Sequence, residues 1–475
     1  MLRKEKCDLK LTSRSCKAVY ENFALFDSGK KGALVASESI NCDCRDGVIK
    51  GGLGCVEWVR ENHTTWNLPT FFPDTDGFFV YKHKNVDGNY VDGFGYTLRN
   101  GTVCLYDEQK GAMQAKKSDY YGRLKPVLTV DSDGVERIAF VGNWGVHFYN
   151  EDEGFSDSAI IRATHFGCWA KDRLFCAVNE HTIAYSAPLE HRNFVENVDD
   201  SGRITLPSDK GKIVALVTLK DEVYVFFEYG ISKLVPAGSA RDFKVRRLGY
   251  NGGLIFEDSV GACGEKIFFL TLGGLCVLEN DVSKKTCENL PILPKERGQV
   301  CYHGVGDGYY CLSYVQENGE NKCVTVHGES EEGYFSFVPK GLCSLRGKSC
   351  FSWNSGLYIM RENSALPTGE VRKFTAKNIR FGVDDVKTLK SLRVFGEGRI
   401  TVQVATGRRV KEMELSLVGG FADMRVCMRA KAFSLSITLE TGACVRAIQA
   451  DMTLLNGRSN GRSFGAVGLK NGKNS

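Results

Sequence analysis

Residues 222–234, Glu222-Val-Tyr-Val-Phe-Phe-Glu-Tyr-Gly-Ile-Ser-Lys-Leu, decide the fold because the chain repeats this pattern seven times. An aromatic and β-branched run reaches a glycine or asparagine turn, and a second such run follows. The turns fall at Gly101, Gly145, Asn179, Gly230, Gly273, Gly319 and Gly356. Hairpins that recur about every 42 residues have the period of β-propeller blades. The sequence therefore predicts an all-β protein with a six- or seven-bladed β-propeller.

The composition is that of a globular protein with many turns. The chain has 475 residues, of which 43% are hydrophobic and 25% charged, with 52 glycines and only 10 prolines. No run of apolar residues is long enough for a transmembrane helix, so we expect no membrane span. No apolar segment follows the basic residues at the start of the chain, so we expect no secretory signal and synthesis in a cytoplasm.

The 18 cysteines do not form a recognisable metal motif. Cys42 and Cys44 are the only close pair, and no Cys-x-x-Cys occurs. Most of the others fall inside predicted strands, where a reduced thiol behaves as a small apolar side chain. The pattern favours buried thiols over thiolate ligands.

The predicted organisation has four parts. Residues 1–27 are expected to form a weakly structured N-terminal arm, and residues 28–363 the propeller. Within it, 28–60 are expected to be an entry segment whose strands pair with the last blade and close the ring. A turn-rich linker at 362–370 precedes a β-sandwich at 371–455, and 456–475 are expected to be a flexible tail.

The sandwich prediction depends on strict alternation in the C-terminal strands. Ile400, Val402 and Val404 alternate with polar or small residues, as in a half-buried antiparallel strand. One segment, 386–392, has helical spacing instead, and we expect at most two helical turns there.

Residues that could carry chemistry are few. Asp74 and Asp76, like Asp131 and Asp133, could ligate Ca²⁺, but the same residues are typical of β-turns. A propeller channel could gather acid–base groups, and the candidates are His165, His181, His191, Asp172 and Glu190. No catalytic signature accompanies them. We therefore predict a protein that is not an enzyme, with no catalytic, cofactor-binding or metal-binding residues and no cofactor.

The net charge of +5 conceals an uneven distribution. Residues 371–475 carry 19 Lys and Arg against 8 Asp and Glu, a net +11, and the preceding 370 residues carry 43 against 49, a net −6. A solvated basic face, matched charges between subunits or domains, and an acidic partner such as nucleic acid all remain open.

Several phrases occur in an order found in one known family. They are Glu38–Gly54, Val223–Pro236, Gly252–Val260 and Lys266–Thr271, followed by the predicted sandwich. In order and architecture the chain resembles the tail β-propeller proteins of tailed bacteriophages, known as the tail nozzle or phage stabilisation family. The resemblance covers most of residues 30–450 and includes no catalytic motif.

This resemblance implies a virion structural protein. Family members form a homo-oligomeric ring, typically a hexamer, that closes the portal–adaptor column, retains the genome and lets double-stranded DNA pass at infection. The implied partners are phage portal, adaptor and tail fibre proteins. The implied location is the virion tail, after assembly in the bacterial host cytoplasm.

Two other functions fit a β-propeller. A carbohydrate-binding or carbohydrate-hydrolysing propeller predicts tryptophans or tyrosines that converge with carboxylates at one mouth of the ring. The other is a cytosolic scaffold for protein interactions, for which a pull-down that retrieves only host proteins would be the signature.

Overall fold

The computed structural model describes residues 14–25, 33–44, 46–57, 75–84, 87–107, 112–117, 122–158, 161–286, 301–306, 308–327, 331–334, 340–345, 347–353, 356–362, 364, 366 and 370–454. Within these ranges the regular structure is β-strand with three 3-10 helices, Ser208–Lys210, Ala240–Asp242 and Glu257–Ser259. None of the helices in these ranges has the length or hydropathy to cross a membrane. Seven short strands come first: β1 (Arg14–Tyr20), β2 (Phe23–Leu25), β3 (Leu34–Ala36), β4 (Glu38–Ile40), β5 (Cys42–Asp43), β6 (Ile49–Gly51) and β7 (Leu53–Glu57).

Seven four-stranded antiparallel units follow, here called blades 1 to 7. Blade 1 contains β8 (Thr75–Lys84), β9 (Tyr90–Leu98), β10 (Val103–Asp107) and β11 (Ala112–Lys117). Blade 2 contains β12 (Leu124–Val130), β13 (Glu136–Gly142), β14 (Gly145–Asn150) and β15 (Gly154–Ser158). Blade 3 contains β16 (Gly167–Ala170), β17 (Arg173–Ala177), β18 (Thr182–Tyr185) and β19 (Gly202–Thr205). Blade 4 contains β20 (Ile213–Leu219), β21 (Glu222–Phe227), β22 (Gly230–Val235) and β23 (Lys244–Leu248).

Blade 5 contains β24 (Gly261–Cys263), β25 (Lys266–Thr271), β26 (Gly274–Glu279) and β27 (Val282–Lys285). Blade 6 contains β28 (Tyr302–Gly306), β29 (Tyr309–Val315), β30 (Asn321–His327) and β31 (Glu331–Tyr334). Blade 7 contains β32 (Lys340–Leu345), β33 (Lys348–Trp353) and β34 (Gly356–Glu362), with the early strand β7 as its fourth strand.

The blades form a closed ring, so the chain contains a β-propeller. The first strand of each blade contacts the first strand of the next, and β32 of blade 7 contacts β8 of blade 1. The seven predicted hairpins are the middle strand pairs of the seven blades, and every predicted turn lies between or beside its two strands. The repeat prediction is therefore confirmed for all seven turns.

The propeller core lies between adjacent blades. In β21 and β25 every residue after the first is buried, because both faces of the strand are covered by neighbouring blades. The rings of Phe226 in blade 4 and Phe269 in blade 5 meet edge to face, with centroids 5.2 Å apart. The continuous apolar runs in the sequence are explained by this double burial.

Strand β7 closes the ring. It pairs antiparallel with β34, with Val56 opposite Ile359 and Cys55 opposite Met360. Leu53 and Cys55 are buried in the core between blades 6 and 7. This pairing is the ring closure that the sequence predicted for the entry segment, and it gives blade 7 the strand that the repeat itself does not supply.

The C-terminal body consists of β35 (Arg372–Ile379), β36 (Lys387–Glu397), β37 (Arg399–Ala405), β38 (Val410–Ser416), β39 (Phe421–Ala430), β40 (Phe433–Leu439) and β41 (Cys444–Leu454), together with β1–β6. One of its sheets has the order β39-β36-β41-β6-β5, with β1 also on β41, and the other has the order β4-β35-β40-β37-β38. Both sheets contribute to one hydrophobic core, in which Ile400, Val402 and Val404 are buried as predicted.

The second sheet continues into the propeller through β4. Ile40 pairs in parallel with Tyr334 of blade 6 and antiparallel with Lys373 of β35. Blade 6 and the C-terminal sheet therefore belong to one nine-stranded sheet. Strand β4 is a structural joint between the two parts.

The N-terminal segment differs from the predicted arm. Strand β1 pairs along its whole length with β41, from Arg14 opposite Leu454 to Tyr20 opposite Ile448. Phe23 and Ile49 are buried in the C-terminal core. Strands β1 to β6 thus pack with the C-terminal strands and not in the predicted 1–27 arm and 28–363 propeller. Apolar side chains such as Phe23 and Ile49 complete the core that β35–β41 form. The predicted tail, 456–475, lies outside the described residues.

The prediction of helical turns at 386–392 is wrong. This segment belongs to the long strand β36, whose pairing shifts register between Leu389 and Ser391. The bulge places Leu389 and Leu392 on the same buried face although they are three residues apart. In the sequence, the three-residue spacing of Leu389 and Leu392 is the same as that of one helix face, which is why a helix was expected here.

Candidate functional site

Charged side chains converge on the ring axis at the face where the first strands of the blades begin, here called the first face. Each lies in a blade-connecting segment or hairpin turn, or near the start of a first strand, and these positions surround the axis. We call these residues the axial cluster: Arg99 of blade 1, Arg123 of blade 2, His165 of blade 3, Glu257 and Asp258 of blade 5, and His303 of blade 6. They line a cavity of about 270 Å³.

Arg123 links opposite sides of the ring. Its Nη1 donates to Glu257 Oε1 at 2.7 Å, and its Nη2 donates to Asp258 Oδ1 at 2.7 Å. Arg99 approaches the other oxygen of Asp258 at 3.4 Å. Because blades 2 and 5 are three positions apart in a ring of seven, these ion pairs cross the axis.

Two histidines complete the cluster. His165 Nε2 lies 3.6 Å from Glu257 Oε1. His303 Nδ1 lies 2.7 Å from the backbone oxygen of Asp258. Since a carbonyl oxygen can only accept a hydrogen bond, Nδ1 carries the proton of His303.

The local field keeps the Glu257 carboxylate charged and His303 neutral. Burial alone raises the pKa of Glu257, but the hydrogen bond and charge of His165, with the charge of Arg123, hold that pKa below its usual value. Burial lowers the pKa of His303 to about 4, against a usual value of 6.5. At neutral pH the cluster therefore contains ion-paired carboxylates beside an uncharged imidazole.

His165, Glu257 and Asp258 have ligand atoms within 4.8 Å of one another, a separation that a metal ion could bridge. However, the Arg123 guanidinium bonds to both carboxylates and already supplies the positive charge that a cation would bring. We therefore interpret the cluster as an ion-pair network that ties blade 2 to blade 5.

A second cavity lies at the opposite face, between blades 1 and 2, and we call it the tyrosine cleft. Its volume is about 390 Å³. Its lining includes three tyrosines, Tyr81, Tyr90 and Tyr149, and three carboxylates, Glu136, Glu151 and Asp152.

Fixed hydrogen bonds hold two of these tyrosines. The Tyr149 hydroxyl donates to Glu151 Oε2 at 2.8 Å, and the Tyr90 hydroxyl donates to Asp152 Oδ2. Lys84 bonds to Asp152 Oδ1 at 2.5 Å, and hydrogen bonds from Lys84 and Tyr90 lower the pKa of Asp152. The loop that follows β14 is thereby fastened to blade 1.

The predicted carboxylate motifs have separate outcomes. Asp131 Oδ1 accepts hydrogen bonds from the backbone of Asp133 at 3.0 Å and Val135 at 2.8 Å, and its other oxygen pairs with Arg137. Asp131 is therefore the turn residue that the sequence favoured over a calcium ligand. Asp74 and the side chain of Asp76 lie outside the described residues.

The predicted histidine group does not form one site. His165 joins the axial cluster with Glu257, a residue that sequence reasoning missed. His181 lies in the turn between β17 and β18, and His191 is buried against Phe148 with ring centroids 4.7 Å apart. Burial, with the nearby charges of Arg137 and Arg192, lowers the pKa of His191 to about 4.

Asp172 lies in the turn between β16 and β17, and Glu190 in the loop after β18. Neither shares the axial cavity with His165. The fifteen cysteines whose side chains the structure describes are free thiols, and most are buried, including Cys42 and Cys44. Burial raises the pKa of Cys168 and Cys263 to about 11, so these thiols remain protonated at neutral pH.

The chain matches no family model and no curated protein. Among solved structures it is similar to the β-propeller domain of Cps50 (Swd1) from Myceliophteria thermophila, at 11% identity and a TM-score of 0.36, over 65% of this chain and 98% of that one. It is also similar to the WD40 domain of SCAP from fission yeast, at 8% identity and a TM-score of 0.35, over 82% and 93%. A third similarity is to the extracellular domain of the one component system protein BT4673 from B. thetaiotaomicron, at 12% identity and a TM-score of 0.40, over 88% and 61%.

Proposed function

We propose that this chain is a structural protein without enzymatic activity that assembles with further copies of itself into a ring. The particular role is the one that the resemblance to phage tail β-propeller proteins implies. In that role a ring, typically hexameric, closes the portal–adaptor channel of the virion, retains the genome and lets DNA pass at infection. Adaptor, portal and tail fibre proteins are its proposed neighbours.

The observation that carries this proposal is a concentration of exposed apolar side chains on the C-terminal body. Val410, Met413, Val418 and Phe421 are 63%, 43%, 85% and 46% exposed. They lie on β38, on β39 and in the turn between them, here called the assembly edge (residues 410–421). Val410 and Met413 lie on opposite faces of β38, so the surface proposed for a protein contact is the edge itself and not one face of the sheet.

The position of the assembly edge also suits a contact. Among the described residues, β38 is the last strand of one sheet and β39 the last strand of the other, and the two strands contact each other. An edge strand presents backbone groups that a neighbouring chain can pair with. A second copy is the proposed occupant because the net charge of +11 on residues 371–475 complements the net −6 on the rest of the chain. Such opposite charges favour head-to-tail contacts, which form a ring when the rotation between successive copies closes.

A rigid subunit suits this role. We assign the C-terminal body as a β-sandwich, since its two sheets contribute to a single core. Strand β4 joins that body to blade 6 through backbone pairing. The Arg123 ion pairs cross the propeller axis, so we place any DNA passage at the centre of the ring of chains and not through one propeller.

Native mass spectrometry of the purified chain, with light scattering across a range of concentrations and salt, tests the assembly. We expect a closed oligomer that weakens as salt increases, because screening reduces attraction between opposite surfaces. The Val418→Asp variant is expected to be monomeric, since it places a charge at the most exposed apolar residue of the assembly edge.

Val282→Asp is the matched control. Val282 is 63% exposed on β27 of blade 5, away from the assembly edge, so this variant is expected to assemble normally. A chain that stays monomeric at every concentration would refute the assembly. Equal effects of the two variants would refute the contact. The phage role is tested separately, by whether the protein co-purifies with tailed phage particles.

A further inference from the structure

The tyrosine cleft combines an apolar platform with hydrogen-bonding groups around it. We propose that this cleft, between blades 1 and 2, binds a neutral saccharide, with Tyr90 as the stacking platform and Glu136 and Glu151 as acceptors for sugar hydroxyls. The proposal is independent of ring assembly, because the cleft is in the propeller and the assembly edge is in the C-terminal body.

Exposed apolar side chains line the open part of the cleft. Tyr90, Leu128 and Val135 are 52%, 50% and 38% exposed. Beneath them Tyr81 and Tyr149 are buried and meet edge to face, with centroids 5.5 Å apart. The carbon–hydrogen face of a pyranose ring is apolar and packs on such aromatic surfaces. A rigid aromatic floor with an exposed aromatic rim therefore suits a sugar ring.

The polar groups are held in place before any ligand arrives. Lys84 lies 5.1 Å from the Tyr90 ring centroid, and the Tyr90 hydroxyl bonds to Asp152, so the ring is fixed from two sides. Glu151 receives the Tyr149 hydroxyl on one oxygen. A carboxylate has about four acceptor positions. Glu151 therefore retains capacity for a sugar hydroxyl, and Glu136 and Asn150 line the same cavity.

The charge balance favours a neutral ligand. The carboxylates of the cleft are accompanied by Lys82, Lys84 and Arg137, and Arg137 is itself paired with Asp131 and Glu153. An anionic ligand would meet three carboxylates, Glu136, Glu151 and Asp152, which outnumber the two cations that line the cavity. Lys84 already lies over one face of the Tyr90 ring and bonds to Asp152, so it would repel a cationic ligand, whereas a neutral sugar is proposed to stack on the opposite face. A polyol requires neither charge, since its hydroxyls both donate and accept.

Saturation-transfer NMR with maltose, cellobiose, lactose and N,N′-diacetylchitobiose, followed by calorimetric titration of the best binder, tests the proposal. We expect at least one of these disaccharides to bind with a millimolar or lower Kd. Tyr90→Ala is expected to weaken that binding by about tenfold or more, which corresponds to loss of one good contact. Tyr90→Phe keeps the stacking ring and is expected to remain within about threefold of the parent protein.

Tyr229→Ala is the matched control, because Tyr229 is 43% exposed in a hairpin turn of blade 4, at the first face. It is expected to bind like the parent. Circular dichroism confirms that each variant is folded. The proposal is overturned if none of the four sugars binds, or if Tyr90→Ala and Tyr229→Ala bind equally well. It is also overturned if a lysine-rich peptide binds at Tyr90 while the sugars do not.

Discussion

Replacement of Arg123 by methionine is the most direct test of the cross-axis ion pairs. The substitution preserves most of the side-chain volume and removes the guanidinium that bonds to Glu257 and Asp258. The side chains of Arg123 and Asp258 are each 20% exposed, and that of Glu257 is 39% exposed. The two adjacent carboxylates would then lie side by side at the axial cavity without the positive charge of Arg123.

The magnitude follows from this partial burial. Removal of one partner of a fully buried pair destabilises by roughly 3–5 kcal/mol, and exposed pairs contribute about 0–1 kcal/mol. We expect Arg123→Met to lower the free energy of unfolding by about 2–3 kcal/mol, between these limits. In a double-mutant cycle with Asp258→Asn, we expect a coupling free energy of about 1–2 kcal/mol.

Urea unfolding measures the stability, and hydrogen exchange localises the effect. We expect faster exchange in β12 and β24, the first strands next to the two ends of the ion pairs. Arg247→Met is the control, because Arg247 pairs with Asp209 at 3.1 Å while both side chains are more than half exposed. Its expected effect is below about 1 kcal/mol. The reasoning is refuted if both substitutions have the same effect, or if Arg123→Met and Asp258→Asn are additive.

Three further predictions concern stability. Leu53→Ala should destabilise the ring by about 2–4 kcal/mol, since Leu53 on β7 is 4% exposed, and limited proteolysis should then cut blade 7 sooner than in the parent. His303 has a folded pKa of about 4 and an unfolded pKa near 6.5. The free energy of unfolding should therefore fall by about 3 kcal/mol as pH decreases from 6.5 to 4. In a plot of urea midpoint against pH, His303→Gln should flatten this part of the curve. Lys387→Met should lower the stability of the protein by about 2–4 kcal/mol in thermal unfolding, because the buried Nζ donates to three backbone oxygens. An unchanged stability would contradict those hydrogen bonds.

The blades were predictable because their signal is local. In blade 4, Val223 to Phe227 form a continuous apolar run, and Gly230 begins the returning strand after two intervening residues. The apolar run and the turn residues lie within a dozen residues of each other, so the sequence pattern alone shows the hairpin. The same locality explains why Ile400, Val402 and Val404 were correctly placed on one buried face.

The candidate sites were not predictable because their residues come from different repeats. Arg123 and Asp258 are separated by 135 residues and meet only because the ring closes. Tyr90 and Asp152 are 62 residues apart and come from neighbouring blades. One sequence signal does exist for the axial cluster, since Arg123, His165 and Asp258 all lie just before the first strand of a blade. A pattern search directed at hydrophobic hairpins does not detect that position.

Both ends of the chain have to be present before either part of the molecule is complete. Strand β7 is made early but pairs with β34, about 300 residues later, and β1 pairs with β41 at the far end of the chain. Pairings of such sequence separation form late, because the entropy of closing a long loop opposes them until other contacts exist. We therefore expect β1, β4, β6 and β7 to fasten the ring and the C-terminal body together at the end of folding. Since β4, β6 and β7 lie in one short segment, closure of the propeller also fixes the position of the C-terminal body that carries the proposed assembly edge.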